Sequence, residues 1–126
     1  MPINSAELTH CTVLIVEDDA DLREMMVEML SIEGFHAVAA GNGREALDCL
    51  HHQPRPDVIL LDLMMPVMDG WEFRRQQQAD PALAKVPVVV LSALDDARAR
   101  ALAGTAFFKK PPDFDSLVHL VRNYCH

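Results

Sequence analysis

The chain has 126 residues, of which half are hydrophobic and 24% are charged, and its formal net charge is −8 at pH 7. This length suits one domain with its own core, and the composition excludes a disordered chain. The acidic balance argues against direct nucleic-acid binding, which needs a basic face, and no apolar run approaches the ~20 residues of a membrane-spanning helix. We therefore expect one globular domain that recognises proteins or cations and contacts neither nucleic acid nor membrane.

The N-terminal ten residues lack both the charged and the apolar region of a signal peptide. We predict an N-terminal extension over residues 1–10, a single domain over 11–126, and a cytoplasmic location. The three cysteines, Cys11, Cys49 and Cys125, are widely separated and show no metal-binding spacing. This pattern favours reduced structural thiols.

The first predicted strand, residues 12–16, runs directly into three acids, Glu17, Asp18 and Asp19. A helix follows, because five apolar residues repeat at helical spacing: Leu22, Met25, Met26, Met29 and Leu30. Asp19 stands where this helix begins and Gly34 where it ends, which are typical N-cap and C-cap residues. We interpret the three methionines as core residues.

The next predicted elements are a strand at 36–39, a short helix at 42–50 and a strand at 57–61 that leads into Asp62. A third helix is predicted over 70–79, before Pro81, and a fourth strand over 86–91 is followed by Ser92. A brief fourth helix lies within 94–104. The fifth strand, 106–109, precedes Lys110, and the fifth helix begins near Phe114.

Strict alternation of strands and helices implies one parallel sheet with helices on both faces. Function in such a sheet lies at the carboxyl ends of the strands, and four of those ends carry polar side chains: Glu17 with Asp18, Asp62, Ser92 and Lys110. Clustered carboxylates can hold a hard divalent cation such as Mg²⁺. A cation, an ammonium and a hydroxyl would together offset the charge of a phosphoryl group, and a central carboxylate could itself be the nucleophile.

Four segments, VLIVEDD, DVILLDLMMPVMDG, VVVLSA and FFKKP, resemble the receiver domain of bacterial two-component response regulators, with the chemotaxis regulators among them. The resemblance extends over residues 11–123. It implies a doubly wound, flavodoxin-like sheet of five parallel strands in the order 2-1-3-4-5. It further implies that Asp62 is the phosphoacceptor, that Asp18 binds Mg²⁺ directly, and that Glu17 binds it through a water molecule, with Mn²⁺ as an alternative ion.

The resemblance implies five further roles. The backbone carbonyl of Met64 would complete the metal ligands, Ser92 would hydrogen-bond one phosphoryl oxygen, and Lys110 would pair with another. The peptide bond between Lys110 and Pro111 would be cis, which is nearly always an X-Pro property. When Ser92 moves toward the phosphoryl group, Phe107 would fill the vacated space, which makes a two-state switch.

The family's partners are a histidine kinase or a histidine phosphotransfer protein on the input side, and a downstream protein or a fused domain on the output side. We expect a signalling switch that catalyses only its own phosphorylation and dephosphorylation, and not a metabolic enzyme. The segment between Ser92 and Lys110 is shorter than is usual in the family by about one helical turn. The fourth helix should therefore be shortened, which puts the usual dimer surface in doubt.

Three alternatives stay open. A degenerate receiver that acts as a phosphorylation-independent interaction module would be expected to lack a site residue, yet the set is complete. An aspartyl-nucleophile phosphatase usually has a second acid two residues after the nucleophile, where this chain has Met64. A flavin-binding protein of similar topology would need a phosphate loop rich in Ser, Thr or Gly after the first strand, and the sequence offers none.

Overall fold

The computed structural model describes residues 11–52, 55–65, 67–93, 101, 106–110 and 112–125. Its strands are β1 (Thr12–Val16), β2 (His36–Ala40), β3 (Val58–Asp62), β4 (Val88–Ser92) and β5 (Ala106–Lys109). They form one parallel sheet in the order β2-β1-β3-β4-β5. This order confirms the predicted flavodoxin-like fold.

The described helices are α1 (Ala20–Ile32), α2 (Gly43–His52), α3 (Gly70–Ala79) and α4 (Phe114–Arg122). The helix α4 is the fifth helix of the sequence prediction. The predicted fourth helix with its shortening lies outside the described residues, except for Ala101, which is helical. The predicted extension over residues 1–10 also lies outside them. None of the helices in the described ranges is long and apolar enough to span a membrane.

The core has two layers because the central strands are covered on both faces. Every residue of β3 and β4 is buried, which explains their almost continuous apolar sequence. One layer contains Leu14, Val16 and Phe73 and packs under α2 and α3. The other contains Met26 and Leu117 and packs under α1 and α4. The sheet is therefore a rigid platform whose carboxyl edge presents the polar strand ends.

The strands β2, β3 and β4 each end one residue later than the sequence predicted, and in β3 and β4 this difference places a site residue inside the sheet. Asp62 is the last residue of β3 and pairs with Leu91, and Ser92 is the last residue of β4. The strand β4 also begins later than predicted, at Val88, because Pro87 has no amide proton to donate to the sheet. The Pro87 carbonyl oxygen accepts a hydrogen bond from the Ile59 amide at 2.9 Å.

The helix α1 begins and ends as its sequence predicts. Asp19 is the N-cap, and its Oδ1 accepts hydrogen bonds from the amides of Asp21 and Leu22 at 3.0 and 3.2 Å. Gly34 has φ 95°, a conformation that glycine adopts without steric cost. The prediction that the methionines of α1 lie in the core is correct for Met26 but wrong for Met25, which is 43% exposed because it lies off the narrow buried stripe of this helix.

The cysteine prediction needs a correction. Cys11 and Cys125 form a disulfide in the structure, with their Cα atoms 5.4 Å apart, so the prediction of reduced thiols is wrong for these two residues. The two ends of the domain meet here. Cys11 directly precedes β1, Cys125 follows α4, and both residues pack in the core layer under α1 and α4. Cys49 is a free cysteine, as predicted.

Candidate functional site

Three carboxylates converge at the carboxyl edge of the sheet. The strands β1 and β3 are neighbours, with Val16 paired to Leu61, so the residues that follow or end them lie side by side. One carboxylate oxygen from each of Glu17, Asp18 and Asp62 lies within 4.8 Å of the others. Glu17 and Asp62 are 1% and 3% exposed, whereas Asp18 faces solvent. Two buried negative charges at this spacing need a counterion.

Lys110 is that counterion. Its Nζ contacts Oε1 of Glu17 and lies 3.3 Å from Oδ2 of Asp62. Its backbone amide donates to the Ser92 carbonyl oxygen at 2.9 Å, which extends the pairing of β4 with β5 and fixes where the side chain starts. Burial lowers the pKa of Lys110, but the hydrogen bond to Glu17 and the negative charges of Asp62 and Glu17 outweigh it and raise the pKa overall.

Asp62 has the most unusual acidity of the site. Burial and the negative charge of Glu17 raise its pKa to about 7, although the charge of Lys110 and the Met64 amide act in the opposite direction. The Met64 amide donates to Asp62 Oδ1 at 3.4 Å, a long hydrogen bond. A carboxyl group with such a pKa, inside a cluster of charges, is typical of a functional site.

Glu17 is held in place by backbone contacts, and one of its carboxylate oxygens is paired with a cationic side chain. Its amide donates to the Ala40 carbonyl oxygen at 3.0 Å, and its Oε2 accepts from the Asp19 amide at 3.1 Å. Its Oε1 is buried and pairs with the ammonium of Lys110. A buried carboxylate oxygen that already pairs with an ammonium is suited to bind a divalent cation in its place.

These carboxylates fit a hard divalent cation. Glu17, Asp18 and Asp62 supply oxygen ligands, which Mg²⁺ and Mn²⁺ both prefer, and the exposure of Asp18 leaves a path for water molecules to complete the coordination. The side chain of Met64 is 55% exposed. A methionine at this position is compatible with its predicted role, because that role uses the backbone carbonyl alone.

The loop after β3 is compact because Gly70 allows a close backbone approach. A Cβ atom on Gly70 would lie 2.7 Å from the Asp62 carbonyl oxygen and 2.8 Å from the Leu63 Cα atom. The Gly70 amide donates to the Leu63 carbonyl oxygen at 3.0 Å, and Asp69 caps α3 by accepting from the Glu72 amide at 2.9 Å. The Asp-Gly pair of the sequence motif thus has a physical role, which is to close the loop that carries Met64.

Sequence reasoning missed Arg23 as a residue that supports the site. Its Nη1 donates to the Glu17 carbonyl oxygen at 2.8 Å and lies 3.5 Å from the Asp18 carbonyl oxygen. The guanidinium therefore holds the turn that carries both acids. The contact is with backbone oxygens five and six residues earlier, so the spacing of side-chain pairs on a helix gave no signal for it.

The remaining predicted site residues lie at the same edge or beside it. Ser92 is completely buried at the end of β4, where it pairs with Lys109 of β5. Phe107 is half-buried opposite Val90 and packs against the core layer under α2 and α3. Pro111, with its predicted cis peptide bond, lies outside the described residues. The structure thus brings four charged residues together, and the switch roles of Ser92 and Phe107 stay predictions.

Comparison with known proteins agrees with this geometry. Residues 13–122 match the family model of the response regulator receiver domain. The DNA-binding response regulator MtrA of Mycobacterium tuberculosis is 43% identical over 84 residues, which are 67% of this chain and 35% of that protein. The chain thus spans about a third of the length of this curated relative.

Solved structures also resemble the chain. A response regulator receiver protein from Pseudomonas putida has a TM-score of 0.83 at 31% identity, covering 90% of this chain and 97% of that one. The Mn²⁺-bound form of the response regulator Rcp1 has a TM-score of 0.73 at 26% identity, covering 90% of each chain. The fold, the edge of acidic residues and these matches lead to one conclusion: the chain belongs to the receiver domain family of two-component response regulators.

Proposed function

We propose that this receiver domain accepts a phosphoryl group on Asp62 from the phosphohistidine of a histidine kinase or a histidine phosphotransfer protein. The observation that carries the proposal is the position of the Asp62 carboxylate. It lies beside the carboxylates of Glu17 and Asp18 and 3.3 Å from the ammonium of Lys110. Carboxylates that could hold a cation and an ammonium that could bind the phosphoryl group thus both lie close to the nucleophile, Asp62.

The transfer requires one bond exchange. An Asp62 carboxylate oxygen attacks phosphorus, the nitrogen–phosphorus bond of the phosphohistidine breaks, and the imidazole leaves with the bonding electron pair. The product is an acyl phosphate on Asp62. Water later attacks the same phosphorus, which restores the Asp62 carboxylate and releases inorganic phosphate.

The protein's own groups would do most of this work. Lys110 would turn from the carboxylates toward one phosphoryl oxygen, and the Ser92 hydroxyl would donate to another. Glu17, Asp18, Asp62 and the backbone carbonyl of Met64 would hold Mg²⁺, or Mn²⁺ in its place, and this ion would neutralise charge on the phosphoryl group. Support comes from the three converging carboxylates and from the related Rcp1, which binds Mn²⁺.

The output of the domain would be a change in protein contacts. Movement of Ser92 toward the phosphoryl group would let Phe107 turn inward from its half-buried position, so that phosphorylation selects one of two packings. We propose a cytoplasmic signalling switch, not a metabolic enzyme, with a downstream protein or a fused domain as its target. MtrA is DNA-binding, but only about a third of it is matched here, so we keep the prediction that this domain does not bind nucleic acid directly.

The test is incubation with Mg²⁺ and a small phosphodonor such as acetyl phosphate, followed by intact-mass spectrometry. We expect one added phosphoryl group that is lost after treatment with hydroxylamine. Asp62→Asn should gain none, while Asp48→Asn, the same change at an exposed acid of α2, should behave like the wild type. No adduct on the wild type, or an adduct that persists in Asp62→Asn, would contradict the proposal. An equal yield in the presence of a chelator would contradict its metal dependence.

A further inference from the structure

The two bonded cysteines join the ends of the domain at the sheet edge opposite Asp62. Cys11 directly precedes β1, and its carbonyl oxygen accepts from the His36 amide at 2.8 Å. Cys125 lies three residues beyond α4, and the bond closes a span of 114 residues. Cys11 is 1% exposed, whereas Cys125 is partly exposed.

The two cysteines are held near each other by contacts that do not depend on the bond. The helix α4 is anchored by Leu117 and Val121 in the core layer under α1. Arg122 pairs with Glu33 at 3.5 Å and lies 5.3 Å from the centre of the Phe35 ring. The fold therefore positions Cys125 beside Cys11 in either oxidation state.

The thiol of Cys125 would keep a hydrogen-bond acceptor beside it when the bond is reduced. Sγ of Cys125 lies 3.3 Å from the Val121 carbonyl oxygen, so the reduced thiol can donate a hydrogen bond there. A domain of this size with two core layers does not need a disulfide in order to fold. The bond can thus be lost and regained while the domain stays folded.

We propose that Cys11 and Cys125 form a reversible redox site that clamps the C-terminal end of the domain to the start of β1. A low-molecular-weight disulfide, such as oxidised glutathione, is the oxidant. The Cys125 thiolate attacks it, forms a mixed disulfide and releases one thiolate. The Cys11 thiolate then attacks the Cys125 sulfur and releases the second. Two protein thiols are oxidised, and the small disulfide is reduced to two thiols.

The difference in exposure gives the exchange a direction. Cys125 is the more exposed residue of the pair, so an external thiolate should approach it more readily than Cys11, which is shielded by the core. Cys125 is therefore the residue at which exchange starts, and Cys11 is the residue that resolves it or leaves. Free Cys49 is half-buried on α2, where burial raises the pKa of its thiol and makes it less reactive.

The first test uses the full chain with Cys49→Ser, equilibrated in glutathione buffers from reducing to oxidising, then quenched with acid, alkylated and mapped by mass spectrometry. We expect a peptide that joins Cys11 to Cys125 under oxidising conditions and its loss after return to reducing ones. Circular dichroism should be that of a folded protein in both states. The absence of this peptide at every ratio, or unfolding of the reduced protein, would overturn the proposal.

The second test separates the two sulfurs. In the Cys49→Ser background, Cys11→Ala should form the glutathione mixed disulfide at Cys125 at least roughly tenfold faster than Cys125→Ser forms it at Cys11, because of the difference in burial. Oxidation should raise the midpoint of thermal unfolding of the two-cysteine protein by on the order of 10 °C, and that of Cys125→Ser by none. Equal rates, faster reaction at Cys11, or no shift in the midpoint would overturn the proposal.

Discussion

Nζ of Lys110 lies 3.3 Å from Oδ2 of Asp62 and also contacts Glu17, so a single cation that directly follows β5 pairs with two carboxylates that follow or end two other strands. Most of the side chain of Lys110 is removed from solvent, and the two acids are almost completely buried. Charges in such surroundings interact far more strongly than at the surface. The pair therefore affects both the stability of the domain and its reactivity.

Replacement of this lysine tests how much the site depends on it. Lys110→Met should lower the free energy of unfolding by about 2–3 kcal/mol at pH 8 without metal, because it leaves buried carboxylates without their counterion. It should also abolish the phosphoryl adduct or shorten its lifetime. Lys109→Met, the same change at the exposed neighbour, should cost less than about 0.5 kcal/mol. Urea unfolding of both variants measures the difference, and equal losses would contradict the role of Lys110.

The acidity of Asp62 predicts a pH dependence with a definite sign. Its pKa rises from 3.8 to about 7 on folding, so the folded state binds more protons than the unfolded state between these values. Its contribution to stability is therefore present below pH 4 and is lost as the pH rises to about 7. In a chelating buffer, the thermal midpoint of the wild type should fall relative to that of Asp62→Asn between pH 5 and pH 8.

Added Mg²⁺ at pH 8 gives the complementary measurement. It should raise the midpoint of the wild type, because a cation offsets the charge that burial penalises, and should raise that of Asp62→Asn much less. A wild-type midpoint that rises from pH 5 to pH 8 relative to Asp62→Asn would show that the assigned acidity is wrong.

The strand order of the sheet, and the carboxyl edge at which the site lies, could be predicted from the sequence for a physical reason. Apolar strands alternating with amphipathic helices admit few topologies, and the polar residues at strand ends must then meet at one edge. Strand limits were less predictable. Asp62 continues the ladder as a partner of Leu91 even though its side chain is polar, since its backbone pairs as any other residue would.

Features that depend on the packed geometry of the fold could not be predicted. The Cys11–Cys125 bond depends on where α4 ends relative to β1, and the spacing of two cysteines carries no such information. In the sequence, the apolar residues of α1 form a stripe that includes Met25. In the structure only part of that stripe is buried, and Met25 is half-exposed beside it. The contact of Arg23 with the Glu17 carbonyl likewise appears only once the turn is folded.

Gly70 should tolerate no side chain. Gly70→Ala would place a Cβ atom 2.7 Å from the Asp62 carbonyl oxygen, so the loop or α3 must shift, at a cost of about 1–3 kcal/mol. Gly41→Ala is the matched control, since its Cβ would meet its nearest neighbour, Nη1 of Arg23, at 3.4 Å, and that atom ends a flexible side chain. Chemical unfolding compares the two. A loss at Gly70 no larger than that at Gly41 would contradict the close-approach explanation.

Val67 carries backbone strain in the same loop. Its φ is 68°, a conformation that costs a β-branched residue about 1–2 kcal/mol, while its side chain is 84% exposed and loses little packing when removed. Val67→Gly should therefore raise the free energy of unfolding by about 1 kcal/mol after the entropy cost of glycine. Val67→Ala, which keeps a Cβ atom, should gain less. If both variants are equally stable, or if glycine is destabilising, the strain is not where the structure places it.

Gln77 is a buried amide that organises the segment before β4. It is completely buried, and its Nε2 donates to the carbonyl oxygens of Leu83 and Val86 at 2.9 and 3.0 Å. Gln77→Leu keeps a similar volume but leaves two buried carbonyls without these donors, which should cost about 2–4 kcal/mol. The neighbouring Gln78→Leu, at an exposed position of α3, should cost less than about 0.5 kcal/mol.

The two leucine variants also separate packing from hydrogen bonding. If Gln77 served only to fill space, leucine would replace it with little loss, and the free energies of unfolding of the two variants would agree. A loss confined to Gln77→Leu, with faster amide hydrogen exchange at Val88 and Val89 of β4, would instead show that the amide fixes the start of the strand. Gln77 contacts the segment before β4, whereas Ser92 lies at the other end of this strand. The Gln77→Leu variant should therefore leave the phosphoryl adduct on Asp62 intact whenever the protein is folded.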